Sequence, residues 1–171
     1  MAQLKPGSSV DINDAAMRKL RSLFASGVTV VTTAQEGRLH GVTVSAFAAV
    51  SLDPPLVLIA LANESTTREM IAESGIFAVS ILSDALEFIS ERFAARAPLV
   101  NEKFEGVPHH VAATGAPILE KSLAWYDCRL EATHDGGDHT LLVGRVQAMG
   151  MDQARRPLVY FANRYGAIGD R

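Results

Sequence analysis

Residues 63–68 set Asn63, Ser65, Thr66, Thr67 and Arg68 side by side, a density of donors that fits a bound phosphate. A helix N-terminus exposes unpaired N–H groups and a partial positive charge, and anions bind there. The hydroxyls of Ser65 and Thr66 and the charge of Arg68 would add to it. The same residues also make an ordinary surface cap, since Thr66 and Glu69 have the spacing of a capping box. What precedes them adds weight to the ligand reading. Read with period two, Val42, Val44, Ala46, Ala48 and Val50 share one face of a strand, and Thr43, Ser45, Phe47, Ala49 and Ser51 share the other. The second face is mostly small or hydroxylated, which leaves room for something flat against a sheet. Pro54 and Pro55 end the strand because neither can donate to a ladder. The apolar run at 56–62 then returns the chain to the donor cluster. A flat platform followed by clustered donors suits a flavin with its phosphate.

Other reactive side chains offer less. His134 and His139 flank two Asp and two Gly, ligand types that zinc accepts, yet a tight turn requires the same residues. No third ligand stands at a recognisable spacing, so no metal is expected. His139 reads either as a donor facing a cleft or as a half-exposed histidine at a strand start. Arg164 and Tyr165 could stack on a nucleotide, or form a plain surface pair. Cys128 lies in an alternating strand and reads as a small core residue. No Ser-His-Asp order, carboxylate pair or Gly-x-Gly-x-x-Gly fingerprint stands out, so a nucleotide would be held by some geometry other than a Rossmann fold.

The elements that must position these groups follow from composition and pattern. The chain has 171 residues, 48% of them apolar, and a formal net charge of −3. A chain of that length buries about 70% of its unfolded surface as one domain. We expect residues 1–10 to form a flexible arm ahead of a single domain at 11–171. An acidic chain with no basic stripe argues against nucleic acid as partner. One cysteine excludes an internal disulfide and fits a reducing compartment. With no apolar run at the N-terminus there is no signal for secretion or a membrane span, so the expected location is the cytoplasm.

Asp11 or Asn13 can cap a helix to about Ser26 whose stripe is Met17, Leu20, Leu23 and Phe24. Strands are expected at 28–34, 42–51, 56–62 and 76–82, with a helix from Thr66 to Gly75 between the last two. Ser83 caps a third helix to about Ala95, which contains Phe93. Residues 97–122 read as a long ordered loop. Beyond it, residues 124–133 alternate, a turn falls at 135–138, and strands return at 139–149 and 158–161. Many strands in hairpin order with three helices indicate a mainly β fold, an antiparallel barrel with peripheral helices.

In order along the chain stand FASGVTVVTT (24–33), GVTVSAFAAVSLDPP (41–55), NEST (63–66), FAVSIL (77–82), RFA (92–94), KF (103–104), GDH (137–139) and RYG (164–166). Together they resemble the flavin reductase-like family, across about residues 14–168. The resemblance implies a Greek-key, FMN-binding split β-barrel and NAD(P)H-dependent reduction of FMN or FAD. Reduced flavin would pass to a partner monooxygenase, and the protein would be a homodimer. It further implies that Thr43, Val44, Ser45, Ala46, Ala48 and Ala49 line the flavin ring and ribityl chain. Asn63, Ser65 and Thr66 would hold the phosphate, and Phe93 and Ala94 would border the flavin from the other side. His139, Arg164 and Tyr165 would receive NADH or NADPH, with His139 serving catalysis. Two other classes remain at this point: a flavin-binding module without turnover, and a haem-binding split barrel.

Overall fold

The computed structural model describes residues 9–96 and 103–168. Asn13 caps the first helix, α1 (Asp14–Ser22), by accepting the Ala16 N–H at 3.0 Å. The helix stops short of Ser26 because Ser26–Gly27 already pairs as a strand, β1. β2 (Thr29–Gln35) and β3 (Arg38–Val44) form a hairpin around Glu36 and Gly37, both at positive φ. β4 (Phe47–Leu52) and β5 (Pro55–Ala62) form the next. α2 (Thr66–Ser74) ends on Gly75 at φ +70°, a left-handed stop that suits glycine. β6 (Ile76–Ile81) follows. Ser83 is the N-cap of a 3₁₀ turn at Asp84–Leu86 that leads into α3 (Glu87–Phe93), but its hydroxyl makes no capping bond and donates instead to the Lys121 carbonyl at 2.8 Å.

The segment read as a long loop carries a short hairpin, β7 (His109–Val111) with β8 (Pro117–Leu119), and its residues 97–102 lie outside those described. β9 (Ala124–Gly136) and β10 (His139–Met151) form a long hairpin whose turn is held by the Gly137 N–H donating to Asp135. β11 (Leu158–Phe161) and β12 (Arg164–Ala167) complete the order, and β12 extends the strand count expected at the C-terminus. Of the expected arm at 1–10, only Ser9 and Val10 fall among the described residues.

The fold is mainly β. Seven antiparallel strands run β3-β2-β6-β9-β10-β5-β4. β3 and β4 are the two edges of this sheet, yet only Ser45 and Ala46 separate them in the chain. The sheet must therefore curl until its edges meet, and the Ala60 N–H donates to the Ala46 carbonyl at 3.1 Å at that corner. This is a split antiparallel barrel with its helices outside. Inside it pack Val31, Ile59, Phe77, Val79, Cys128 and Leu142. Val30 on the opposite face of β2 enters a second core with Leu82, Phe93, Leu119 and Leu158. Burial on both faces explains why β2 reads as an unbroken β-branched run.

Two glycines permit this packing. A Cβ on Gly41 would sit 2.8 Å from the Phe93 ring, and one on Gly144 would overlap the Phe77 ring.

The corner corrects the expectation of one platform strand over 42–51. Val42 and Val44 point into the barrel core, and after the break Phe47 joins them. The alternation changes phase at Ser45 and Ala46, because the chain leaves one sheet edge there and starts the other. The expected stripe of α1 is also differently placed. Met17, Leu20, Leu23 and Phe24 are 60%, 54%, 54% and 79% exposed, and no residue of α1 is buried.

Candidate functional site

At the corner between β3 and β4 the floor of a cleft of about 490 Å³ is built from Thr43, Val44, Ser45 and Ala46. Ala60, Leu61 and Ala62, at the end of β5, continue it. Val44 and Leu61 turn their side chains into the barrel core and the other floor residues are small, which leaves backbone groups within reach of a flat ligand. The Thr43 hydroxyl donates to the Ser90 carbonyl at 2.6 Å and so is spent within the fold. Ser45 carries the free hydroxyl of the floor.

Ser65 lines the same cleft and is the N-cap of α2, one residue ahead of the cap expected at Thr66. Its side chain makes no capping bond. That leaves the Ser65 hydroxyl and the first-turn N–H groups of α2 available to an anion. Thr66 is exposed and does not line the cleft. Asn63 is committed elsewhere. Its amide donates to the Gly137 carbonyl at 2.9 Å, its Oδ1 accepts from the Thr140 hydroxyl at 2.9 Å, and its own N–H donates to the Asp138 carbonyl at 3.1 Å. Arg68 donates from Nε to the Asn63 carbonyl at 2.9 Å. Asn63 and Arg68 thus bind the β9–β10 turn to the start of α2 rather than a ligand.

That turn presents His139 at the cleft rim. Its Nδ1 lies 2.7 Å from Asp138 Oδ1, which leaves Nε2 directed away from this pair. The hydrogen bond from His139 holds the Asp138 carboxyl below its ordinary range, with the nearby charges of His139 and Arg18 adding to it. A carboxylate fixed on Nδ1 sets the tautomer and orientation of the ring.

A small side recess of about 110 Å³ shares Thr43, Ser45, Arg96 and Tyr160 with the cleft and adds Ala94 and Tyr165. Tyr165 hydrogen-bonds Ser90 at 2.9 Å, and its ring centroid lies 5.1 Å from that of Tyr160. Burial pushes the Tyr165 hydroxyl up to about 12, so it stays protonated.

Besides Asn63 and Thr66, four more of the expected residues lie away from the cleft. Ala48 and Ala49 sit on β4 beyond the corner, outside the cleft. Phe93 is fully buried, its ring 5.1 Å from Phe104 in an edge contact, so it belongs to the second core. Arg164 is exposed, opposite Phe161 across the β11–β12 pair. In their place the cleft has Arg18, Arg21, Arg96, Tyr160 and Asn163. The spacing of Arg18 and Arg21, three residues apart on one helix face, was the readable sign of the first pair. Arg96 and Tyr160 meet only through the tertiary fold and carry no local signal.

Cys128 is buried, and burial pushes its thiol up to about 12, so it is not a nucleophile. Among the described residues no group of three His, Cys, Asp or Glu side chains comes together as a metal site. The cleft offers a flat floor, an open helix N-terminus, cations and one oriented histidine. That is the donor set of a phosphate-bearing planar ring, and its chemistry fits a flavin.

Such a barrel and cleft define a flavin-binding oxidoreductase, and comparison with known proteins agrees. A family model described as the flavin reductase like domain matches residues 20–169. The chain is 38% identical over 157 residues to the reductase subunit HsaB of a flavin-dependent monooxygenase from Rhodococcus jostii, covering 92% of this chain and 79% of that protein. It is 36% identical to the NADH-dependent flavin reductase StyB of Pseudomonas fluorescens, covering 95% and 94%. The solved structure of the Streptomyces globisporus NADH:FAD oxidoreductase SgcE6 superposes with a TM-score of 0.89 at 30% identity, over 97% of this chain and all of that one. The chain belongs to the flavin reductase-like family.

Proposed function

We propose that this protein uses NADH to reduce a flavin and passes the reduced flavin to a partner monooxygenase. The observation that carries this reading is the cleft itself: a small-residue floor at the barrel corner, rimmed by three arginines and His139. Bound flavin supplies the electron-accepting ring, and the nicotinamide supplies a hydride, two electrons with one proton. The protein's part is positional. The floor keeps side chains out of the space above it, so two flat rings can approach to about 3 to 3.5 Å. Ser65 and the α2 N-terminus take the phosphate, and His139, oriented by Asp138, takes the nicotinamide nucleotide.

The protein acts as a homodimer in this reading. Met17 and Leu20 of α1, with Leu23 and Phe24 just beyond its end, are apolar and exposed, and burying such a side chain is worth about 1.5–3 kcal/mol. A second copy covers them in a symmetric contact. Among the described residues no helix is long and apolar enough to cross a membrane, and we place the protein in the cytoplasm, with the pyridine nucleotides it uses. The purified protein should oxidise NADH only when FMN, FAD or riboflavin is added. No oxidation with any of the three sinks the reading, and a sedimenting monomer that is fully active sinks the dimer.

A further inference from the structure

We propose that Arg18 and Arg21 bind the diphosphate of a dinucleotide, so that this cleft distinguishes dinucleotides from mononucleotides. The inference rests on the flavin reductase reading above. The chain has a net charge of −3, yet the 490 Å³ cleft is lined by Arg18, Arg21, Arg96 and His139 and by no described Asp or Glu. A cleft that gathers cations in an acidic protein is built for an anion.

The cations there are not equivalent. Arg96 donates to the Tyr160 hydroxyl at 3.3 Å and pairs with Glu91 at 3.5 Å. Arg18 and Arg21 have no hydrogen bond from their guanidinium groups and no ion pair within 4.0 Å among the described residues, although the charge of Arg18 is felt at Asp138. Residues three apart on a helix are neighbours, with Cβ atoms about 5–6 Å apart. Two planar forks at that spacing match two linked phosphates better than one. Ser65 with the α2 N-terminus suffices for a single phosphate.

The space beyond α1 accommodates the rest of such a ligand. A recess of about 720 Å³ shares Arg18, Arg21, Ala46, Ala60 and His139 with the cleft, so the two voids meet beneath the helix. Its further walls are Met17 and Leu141, with Asp14 and Asp138. Apolar side chains suit an adenine, and carboxylates accept from ribose hydroxyls while repelling phosphate. The charge pattern therefore leaves the diphosphate at the arginines and the adenosine in the recess. Met17 stands one turn before Arg21 on the same helix face, so an apolar side chain walls the recess directly beside the cations.

The diphosphate could belong to FAD or to the nicotinamide nucleotide, and one experiment separates them. Wild type, Arg21→Gln and the Arg18→Gln/Arg21→Gln double variant are titrated with FAD, FMN and riboflavin, and their KM for NADH is measured with riboflavin as acceptor. A loss of FAD affinity of about tenfold or more in the double variant, with FMN and riboflavin within about twofold of wild type, supports a flavin diphosphate. A rise in the KM for NADH of about tenfold, with the flavins unchanged, supports the nicotinamide nucleotide's diphosphate. Equal losses for FAD and FMN, a loss for riboflavin, or no change in any value overturns the proposal. Wild-type protein that oxidises no NADH with any flavin refutes the underlying function instead.

Discussion

Replacing Asn63 with Ala separates two roles that the same residue could play. If Asn63 held the flavin phosphate, as its place in the donor cluster suggests, Asn63→Ala would weaken FMN and spare riboflavin. The structure instead spends both ends of the amide on the β9–β10 turn, through the Gly137 carbonyl and the Thr140 hydroxyl, each at 2.9 Å. Each such bond is worth about 0.5–1.5 kcal/mol, so the variant loosens the turn by about 1–3 kcal/mol without unfolding the barrel. The residue that turn positions is His139. The variant should lower kcat/KM for NADH by about tenfold, near 1.4 kcal/mol, with FMN and riboflavin affinities unchanged. Because the effect acts through His139, the two substitutions should not add. In a double-mutant cycle, Asn63→Ala should cost little once His139→Ala is present. Steady-state NADH kinetics on the four proteins, with flavin titrations alongside, read this directly. Independent, multiplying losses, or a loss confined to FMN, would refute the reasoning.

Three further outcomes follow from the geometry. Ser65→Ala should weaken FMN about tenfold and leave riboflavin alone, since a bond to a charged phosphate is worth about 1.5–3 kcal/mol; equal losses would move the phosphate elsewhere. Gly144→Ala should destabilise the barrel by about 1–3 kcal/mol in denaturant unfolding, because its methyl overlaps the Phe77 ring; an unchanged midpoint would show that the ring yields freely. Burial first, then the charges of Lys103 and Arg38, hold the pKa of His40 below its ordinary value near 6.5. The unfolded chain therefore takes up the proton first, and the stability from neutral His40 is full above that value and lost as pH falls through it. His40 Nδ1 lies 2.8 Å from the Thr67 hydroxyl, so His40→Asn keeps a polar group there while removing the titration and should flatten the fall in Tm on acidification; an unchanged slope would assign it to other groups.

Much of this architecture was legible in the chain. The hairpin order, the αL stop at Gly75 and the turn before His139 depend on local residue types, and each stands where the pattern puts it. The corner at Ser45 and Ala46 was not legible, because two small residues continue an alternating pattern without marking the change of phase. The family resemblance set Phe93 beside the flavin, but Gly41, far away in sequence, opens the slot that buries it. The apolar stripe on α1 shows that Leu20 and Leu23 need cover, and nothing in a period says whether the cover comes from the same chain. Arg18 and Arg21 lie beside that stripe, where charged residues on an exposed helix ordinarily read as a solvated face.

Hydride transfer from nicotinamide to a flavin held on the barrel floor can be watched in an anaerobic titration. Protein, FMN or FAD, and NADH are mixed without oxygen, and the flavin and nicotinamide absorbances are followed together. One equivalent of NADH should bleach one equivalent of flavin at a rate that depends on the protein, and Ser65→Ala should slow this for FMN at limiting concentration. Flavin that stays oxidised, or bleaches at the same rate without protein, would contradict it.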